Sequence, residues 1–257
     1  MDKIINIHFF GGCALTQKNI PRKDRFISVL NDKLVSNLSL KPKFSFSSYG
    51  NFLELLNKSK NQIEKNENEI FIAHIRPQPY ILISKFIIKY IDKYNKIKFA
   101  FNPFLSKRKG RELVNISNPV FNQLSVKPTF FEFNIFLGRL FNINSNSSQY
   151  VFKTIQEIQF MCNNNNIQFV ILGISPQPMS IQGNIICKKL NDYLKSECSK
   201  HKIHYIDNFA EMNNYRNFLS DKLHLSINGH RELGKILFEE IKKTFYNTQY
   251  KKPGKKQ

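Results

Sequence analysis

The sequence contains no apolar run as long as the ~18 to 20 residues that a membrane-spanning helix requires. Its N-terminus, M-D-K-I-I-N-I-H-F-F, lacks the apolar stretch and the small-residue cleavage site of a secretory signal peptide. Both absences argue against a membrane-spanning or secreted protein. We therefore expect a cytoplasmic protein.

Cysteine, glycine and proline are all scarce. The four cysteines are too few for a disulfide framework, and no two of them form the C-x-x-C pair that is typical of a zinc site. Ten glycines and ten prolines in 257 residues are also too few for a repeat or collagen-like protein. We expect reduced thiols and no metal site.

Several nucleotide and nucleic-acid signatures are missing as well. The chain has neither the G-x-x-x-x-G-K-[ST] loop nor the G-x-G-x-x-G loop that binds a cofactor's phosphates. It also lacks the G-x-S-x-G nucleophile elbow of α/β-hydrolases and the zinc-finger and RNA-binding aromatic patterns. No cofactor is expected.

Acidic residues are few relative to basic ones. Lysine and arginine number 39 against 19 aspartates and glutamates, which gives a formal net charge of +20. The richness in Lys, Asn, Ile and Phe is the mixture that an AT-rich coding sequence produces. The alternative is an anionic partner such as nucleic acid, a membrane surface or an acidic polymer.

The residues that are present predict one α/β domain. Hydrophobic residues make up 41% of the chain, enough for a sizeable core. Short apolar runs predict strands at 4–10, 43–47, 70–75, 97–101, 167–172 and 203–206. Apolar residues at helical spacing predict helices around 26–38, 81–91, 151–158, 181–194 and 233–241, the last with Asn228 as its N-cap. Such alternation favours a central parallel sheet covered by helices on both faces.

The predicted domain spans residues 1–247. Residues 103–147 are less regular and form an elaborated insertion that can cover a pocket, and residues 248–257 form a basic disordered tail. Because ligands of parallel sheets bind at the carboxyl ends of the strands, the loops after the strands are the places to look for a site.

One such loop contains Asp221 and His224, in F-L-S-D-K-L-H-L-S-I-N-G-H before the last predicted helix. A histidine that acts as a general base needs a partner that fixes its tautomer and supports its positive charge. This D-x-x-H segment, followed by a predicted helix, resembles the C-terminal motif of the SGNH/GDSL hydrolase family. The segment I-H-F-F-G-G-C-A-L-T near the start resembles that family's first block. The resemblance covers residues 4 to 245 apart from the insertion, and it implies a three-layer α/β/α flavodoxin-like fold.

The resemblance implies that Asp221 and His224 are the acid and base of a catalytic triad. The family's nucleophilic serine in G-D-S is replaced here by Cys13 in Gly11-Gly12-Cys13. A thiol near a helix N-terminus and a histidine is activated as a nucleophile. The alternative is a small buried cysteine in a tight turn.

The family's second and third blocks supply the groups that stabilise the oxyanion. Gly50 falls at the second block, where a backbone N–H helps to hold the oxyanion, and Asn51 beside it can point into the site. The alternative is that Gly50 is an ordinary turn glycine. Arg76 falls where the third block has its asparagine, and a guanidinium can hold an oxyanion or clamp an anionic group. The alternative is a surface arginine in a salt bridge. Gln78 follows Arg76 and can donate to substrate.

Three further residues are candidates for a structural or a catalytic role. His74 is expected to be a core histidine or one that supports the residues in contact with substrate. His230, on the last predicted helix, is expected to be a surface or packing histidine. Ser175 is the second candidate nucleophile, although no motif places a base beside it. It lies in I-S-P-Q-P, which repeats the I-R-P-Q-P that contains Arg76, and we interpret the repeat as chance.

Three functions follow from these residues. The first is an acyl hydrolase or acyltransferase that acts on a small acylated lipid, a sugar ester or a thioester through Cys13, His224 and Asp221. The second is a ligand-binding protein with a decayed, inactive site. The third is a basic protein that binds nucleic acid or another anionic polymer. The sequence leaves the oligomeric state open.

Overall fold

A computed structural model of the chain describes residues 3–11, 20–49, 52–64, 69–76, 145–176, 181–218 and 224–250. Its strands are β1 (Lys3–Gly11), β2 (Leu40–Ser48), β3 (Ile70–His74), β4 (Gln168–Leu172) and β5 (His204–Ile206). Its helices are α1 (Phe26–Leu38), α2 (Phe52–Glu64), α3 (Ser145–Asn164), α4 (Ile181–Lys200), α5 (Asn208–Glu211) and α6 (Ile227–Tyr250). Two short 3₁₀ helices, Arg22–Asp24 and Tyr215–Asn217, complete the described elements.

The five strands form one parallel sheet in the order β2-β1-β3-β4-β5. This is the order of flavodoxin-like folds, in which the chain reverses its direction of winding between the first and third strands. β2 is an edge strand, and this position tolerates Pro42, which has no N–H to donate. The predicted central parallel sheet is confirmed.

Alternate residues of the central strands enter two separate cores. Phe71 and Ala73 of β3 lie in the core that α2, α3 and α4 cover. Ile70 and Ile72 lie in the core that α1 and α6 cover. Every residue from 70 to 73 is buried because both faces of the sheet carry helices. The three-layer α/β/α prediction is therefore confirmed.

Several predicted boundaries differ from the observed ones. The second strand begins at Leu40 rather than residue 43, because it pairs with β1 over its whole length. α3 begins at Ser145, within the last residues of the predicted insertion, and α6 continues to Tyr250, three residues into the predicted tail. The predicted helix at 81–91 and strand at 97–101 lie outside the described residues. None of the helices in the described ranges is long and apolar enough to cross a membrane.

Candidate functional site

Polar side chains line the carboxyl edge of the sheet. Tyr49 directly follows β2, His74 ends β3, Ser175 lies three residues beyond β4, and Asn208 lies two residues beyond β5. The edge is continuous because hydrogen bonds between neighbouring strands extend past their ends, from Ile75 N to Leu172 O and from Gly173 N to Ile206 O. Ligands of parallel sheets bind along this edge.

Ser175 lies between His74 and Asn208. Its Oγ is 3.2 Å from His74 Nε2 and 2.7 Å from Asn208 Nδ2, which donates to it. With Asn208 as donor, the hydroxyl hydrogen is available to the imidazole nitrogen. The sequence places no base beside Ser175, whereas the fold brings His74 into contact with it. No local pattern reveals this pair, because 101 residues separate its members.

His74 is held in its neutral form. Burial, helped by the positive charge of Arg76, lowers its pKa to about 4. At neutral pH the imidazole therefore accepts or donates a hydrogen bond without carrying charge. The ring is partly buried and bonded to Ser175, and its predicted role in supporting a catalytic site stays a prediction.

Arg76 connects the ends of β3 and β2. Its Nη1 donates to the carbonyl oxygen of Tyr49, and its guanidinium lies 5.9 Å from the centre of the Tyr49 ring. Tyr49 in turn donates from its hydroxyl to the His74 carbonyl oxygen at 2.6 Å. Burial raises the Tyr49 pKa, although Arg76 opposes the shift. Arg76 thus holds the backbone immediately before Gly50, and its role toward an oxyanion stays a prediction.

His224 is 9% exposed and lies three residues before the start of α6. The next residue, Leu225, forms an isolated antiparallel bridge with Phe218. Ser226 N donates to Asn217 O at 2.9 Å, and Ser226 Oγ donates to Arg216 O at 2.6 Å. These bonds fix the turn that carries His224 against the 3₁₀ helix Tyr215–Asn217.

The start of α6 differs from the sequence prediction. Ser226, rather than Asn228, caps the helix, since its Oγ accepts from Gly229 N at 3.1 Å. Asn228 Nδ2 instead donates to Asn217 Oδ1 at 2.6 Å. Gly229 lies so close to Asn217 that a Cβ there would be 2.0 Å from the Asn217 carbonyl oxygen. Asn217, which sequence reasoning missed, thus contacts Ser226, Asn228 and Gly229.

His230 joins α6 to α1. It is fully buried, its Nδ1 accepts from Phe26 N at 3.4 Å, and its ring stacks on Phe26 with centroids 6.0 Å apart. Burial, helped by the positive charge of Arg25, lowers its pKa to about 4. This packing role agrees with the sequence prediction.

Five predicted site residues lie outside the described residues, and their roles stay predictions: Cys13, Gly50, Asn51, Gln78 and Asp221. The other three cysteines are fully buried in one core. Burial raises the pKa of the Cys162 and Cys198 thiols to about 12 and that of Cys187 further still. Buried protonated thiols are unreactive, so these three are structural.

Comparison with known proteins finds similarity at the level of structure. No protein-family model and no curated protein matches the sequence. The crystal structure of TesA matches with a TM-score of 0.56 and 6% identity, over 93% of this chain and 98% of that one. A lipase from a goat rumen metagenome matches with a TM-score of 0.56 and 12% identity, over 92% of this chain and 97% of that one. A lipolytic protein of the G-D-S-L family from Veillonella parvula matches with a TM-score of 0.52 and 11% identity, over 91% of this chain and 97% of that one.

These matches cover nearly the whole chain and nearly the whole of each similar protein. At such low identity the similarity concerns the fold. The chain therefore has the SGNH/GDSL fold that the motif resemblance implies.

Proposed function

We propose that this protein is an SGNH-type acyl hydrolase or acyltransferase that acts on an ester or thioester. Cys13 is the nucleophile, His224 the general base and Asp221 the residue that orients His224. The observation that carries the proposal is the buried His224 in a turn fixed by Asn217 and Ser226, on a fold shared with lipases and esterases.

The reaction proceeds in two steps. His224 takes the proton of the Cys13 thiol, and the thiolate sulfur bonds to the carbonyl carbon of the substrate. The bond to the leaving alcohol or thiol breaks, and His224 returns the proton to that group. Water or another alcohol, deprotonated by His224, then attacks the acyl-enzyme carbonyl carbon. The bond from that carbon to the Cys13 sulfur breaks, the acyl product leaves, and His224 returns the proton to the thiolate. Backbone N–H groups of Cys13 and Gly50, with Arg76, stabilise the oxyanion in both steps.

Steady-state kinetics on 4-nitrophenyl acetate and on an acetyl thioester test the proposal. Cys13→Ala and His224→Ala should each lower kcat by about 10³-fold or more, since each removes a member of one catalytic unit. Cys187→Ala, which alters a buried cysteine of α4, is the matched control and should retain activity. If the wild-type protein turns over no acyl substrate, the proposal fails and the ligand-binding alternative is favoured.

Alkylation by iodoacetamide provides a second test. The three described cysteines are buried with raised pKa values, so a native protein should take up one label, at Cys13. The pH midpoint of labelling should lie below the ordinary thiol value of about 8.5 and return toward it in His224→Ala. Equal labelling of all four cysteines, or a midpoint that does not respond to His224→Ala, would contradict an activated thiol.

A further inference from the structure

The loops that follow β2 and β3 are joined across the end of β1. β1 lies between these two strands in the sheet, and its last residue, Gly11, lies opposite Ser48 of β2. Tyr49, one residue beyond Ser48, is 1% exposed and donates from its hydroxyl to the His74 carbonyl oxygen at 2.6 Å. The Tyr49 side chain therefore bridges the carboxyl end of the strand that leads to Cys13, the proposed nucleophile.

Arg76 makes the same connection in the opposite direction. Its Nη1 donates to the carbonyl oxygen of Tyr49, and its guanidinium lies 5.9 Å from the centre of the Tyr49 ring. No carboxylate in the described ranges forms an ion pair with Arg76. The Tyr49 carbonyl oxygen therefore meets a positive charge that no described carboxylate offsets. Hydrogen bonds from a charged donor are about twice as strong as neutral ones.

The Tyr49 carbonyl belongs to the same peptide group as the N–H of Gly50. A peptide group is planar and, before a residue other than proline, almost always trans, so its N–H points away from its C=O. A donor that fixes the oxygen thereby constrains the direction of an N–H that it does not touch. A positive charge at the oxygen also draws electron density from the nitrogen, so that the N–H becomes a stronger donor.

We propose that Arg76 is a positioning residue that acts on the oxyanion through this peptide group, and that Tyr49 anchors the group by its hydroxyl. This role rests on the proposed acyl transfer, in which the Gly50 N–H stabilises the oxyanion. The guanidinium holds the Tyr49 carbonyl oxygen on one side, so that the N–H on the other side is oriented before substrate binds. Catalysis by an oxyanion hole depends on donors that are preorganised in this way.

Kinetics on 4-nitrophenyl acetate test this role. Arg76→Gln should lower kcat about ten- to hundredfold, and Tyr49→Phe about tenfold, both less than the roughly 10²–10³-fold that loss of an oxyanion donor costs. KM should change less than about twofold, since the oxyanion is absent from the bound substrate. Tyr205→Phe is the matched control, because it removes a tyrosine hydroxyl that donates to Asn191 Oδ1 at 2.7 Å, on β5. It should change kcat less than about twofold.

The double variant separates an indirect role from direct contact. If Arg76 and Tyr49 act through one peptide group, the double variant should be within about threefold of Arg76→Gln, because effects within one unit are not additive. Losses that multiply would indicate that Arg76 contacts the oxyanion independently of Tyr49, and would overturn the indirect role. Full activity of either single variant would overturn it as well, and so would a raised KM with unchanged kcat in Arg76→Gln.

Amide NMR reports on the peptide group without turnover. The chain contains ten glycines, so labelling with ¹⁵N-glycine gives at most ten backbone peaks, and the peak that Gly50→Ala removes belongs to Gly50. Loss of the hydrogen bond to the preceding carbonyl should move the Gly50 nitrogen upfield in Arg76→Gln, by more than any other glycine. An unmoved Gly50 peak, or one too broad to detect in the wild type, would overturn the proposal. Absence of all ester turnover would instead refute the proposed function, while this peak would still decide whether Arg76 acts on the peptide group.

Discussion

Replacing Gly229 by alanine tests whether the turn that carries His224 must be held in place. The new Cβ would lie 2.0 Å from the carbonyl oxygen of Asn217 and 2.9 Å from its carbonyl carbon. Both atoms belong to the backbone, so no side-chain rotation relieves the contact. The same carbonyl oxygen accepts from Ser226 N at 2.9 Å, two residues after His224.

The size of the displacement follows from the contact distance. To restore ordinary van der Waals separation, the α6 terminus and Asn217 must move apart by about 1.4 Å. Overpacking of this kind costs about 1–3 kcal/mol, of which alanine's better helix propensity offsets up to about 1 kcal/mol. A shift of about 1 Å in a catalytic group can lower activity about 10²-fold. The loss of activity should therefore greatly exceed the loss of stability.

The assay combines turnover of 4-nitrophenyl acetate with thermal unfolding. Gly229→Ala should lower kcat/KM about 10²-fold and Tm by only a few degrees. The control is Gly234→Ala, five residues further along α6, where a Cβ would be 2.8 Å from Val29 Cβ and 2.9 Å from Phe26 O on α1. It should lower Tm by a similar amount and change kcat/KM less than about threefold, because its contact is made with α1.

Two results would refute this reasoning. If Gly229→Ala keeps full activity, the turn either absorbs the displacement or does not carry a catalytic residue. If Gly234→Ala loses as much activity as Gly229→Ala, the effect comes from general loosening of α6. Loss of activity in His224→Ala together with full activity in Gly229→Ala would locate the error in the geometric argument alone.

Three further predictions concern stability and titration. His74 and His230 have lowered pKa values in the folded state, so on acidification the unfolded chain takes up protons before the folded one does. The free energy of unfolding should therefore fall as pH drops from about 6.5 toward 4, by about 2–3 kcal/mol for each histidine. In urea titrations at several pH values, His230→Gln should lower the number of protons taken up on unfolding by about one. Identical slopes of unfolding free energy against pH in the variant and the wild type would contradict the prediction. Gly173→Ala places a Cβ 2.8 Å from Ile206 O between β4 and β5, and it should cost about 1–3 kcal/mol in the same measurement. Arg76→Gln should raise the His74 pKa, as followed by NMR of the imidazole, while burial keeps it below the ordinary value; an unchanged pKa would show that Arg76 has no influence.

The sequence predicts the elements well because their signals are local. The first strand was expected at 4–10 and spans Lys3–Gly11, and β3 was expected at 70–75 and spans Ile70–His74. The residue that caps α6 was harder to predict, since L-S-I-N-G-H contains two candidate caps, Ser226 and Asn228. Ser226 caps the helix because its hydroxyl reaches the N–H three residues later, while the amide of Asn228 is bonded to Asn217.

Contacts between distant segments could not be predicted in the same way. Asn217 belongs to no motif, and its contacts with the start of α6 depend on how the 3₁₀ helix Tyr215–Asn217 meets that helix. The pairing of His74 with Ser175 depends on the parallel register of β3 and β4, in which His74 lies opposite Leu172. Sequence periodicity reports which face of a strand is buried, but it does not report which strand lies beside it.

The two similar peptides, I-R-P-Q-P and I-S-P-Q-P, acquire a physical connection from this register. Ile75 and Ile174 are both fully buried in the same core, so each peptide is anchored at its first residue. The residues that follow act on one imidazole in different ways. The charge of Arg76 helps to keep His74 neutral, and the hydroxyl of Ser175 forms a hydrogen bond with it. Two loops whose contacting residues are 101 positions apart in the chain thus converge on the imidazole of His74.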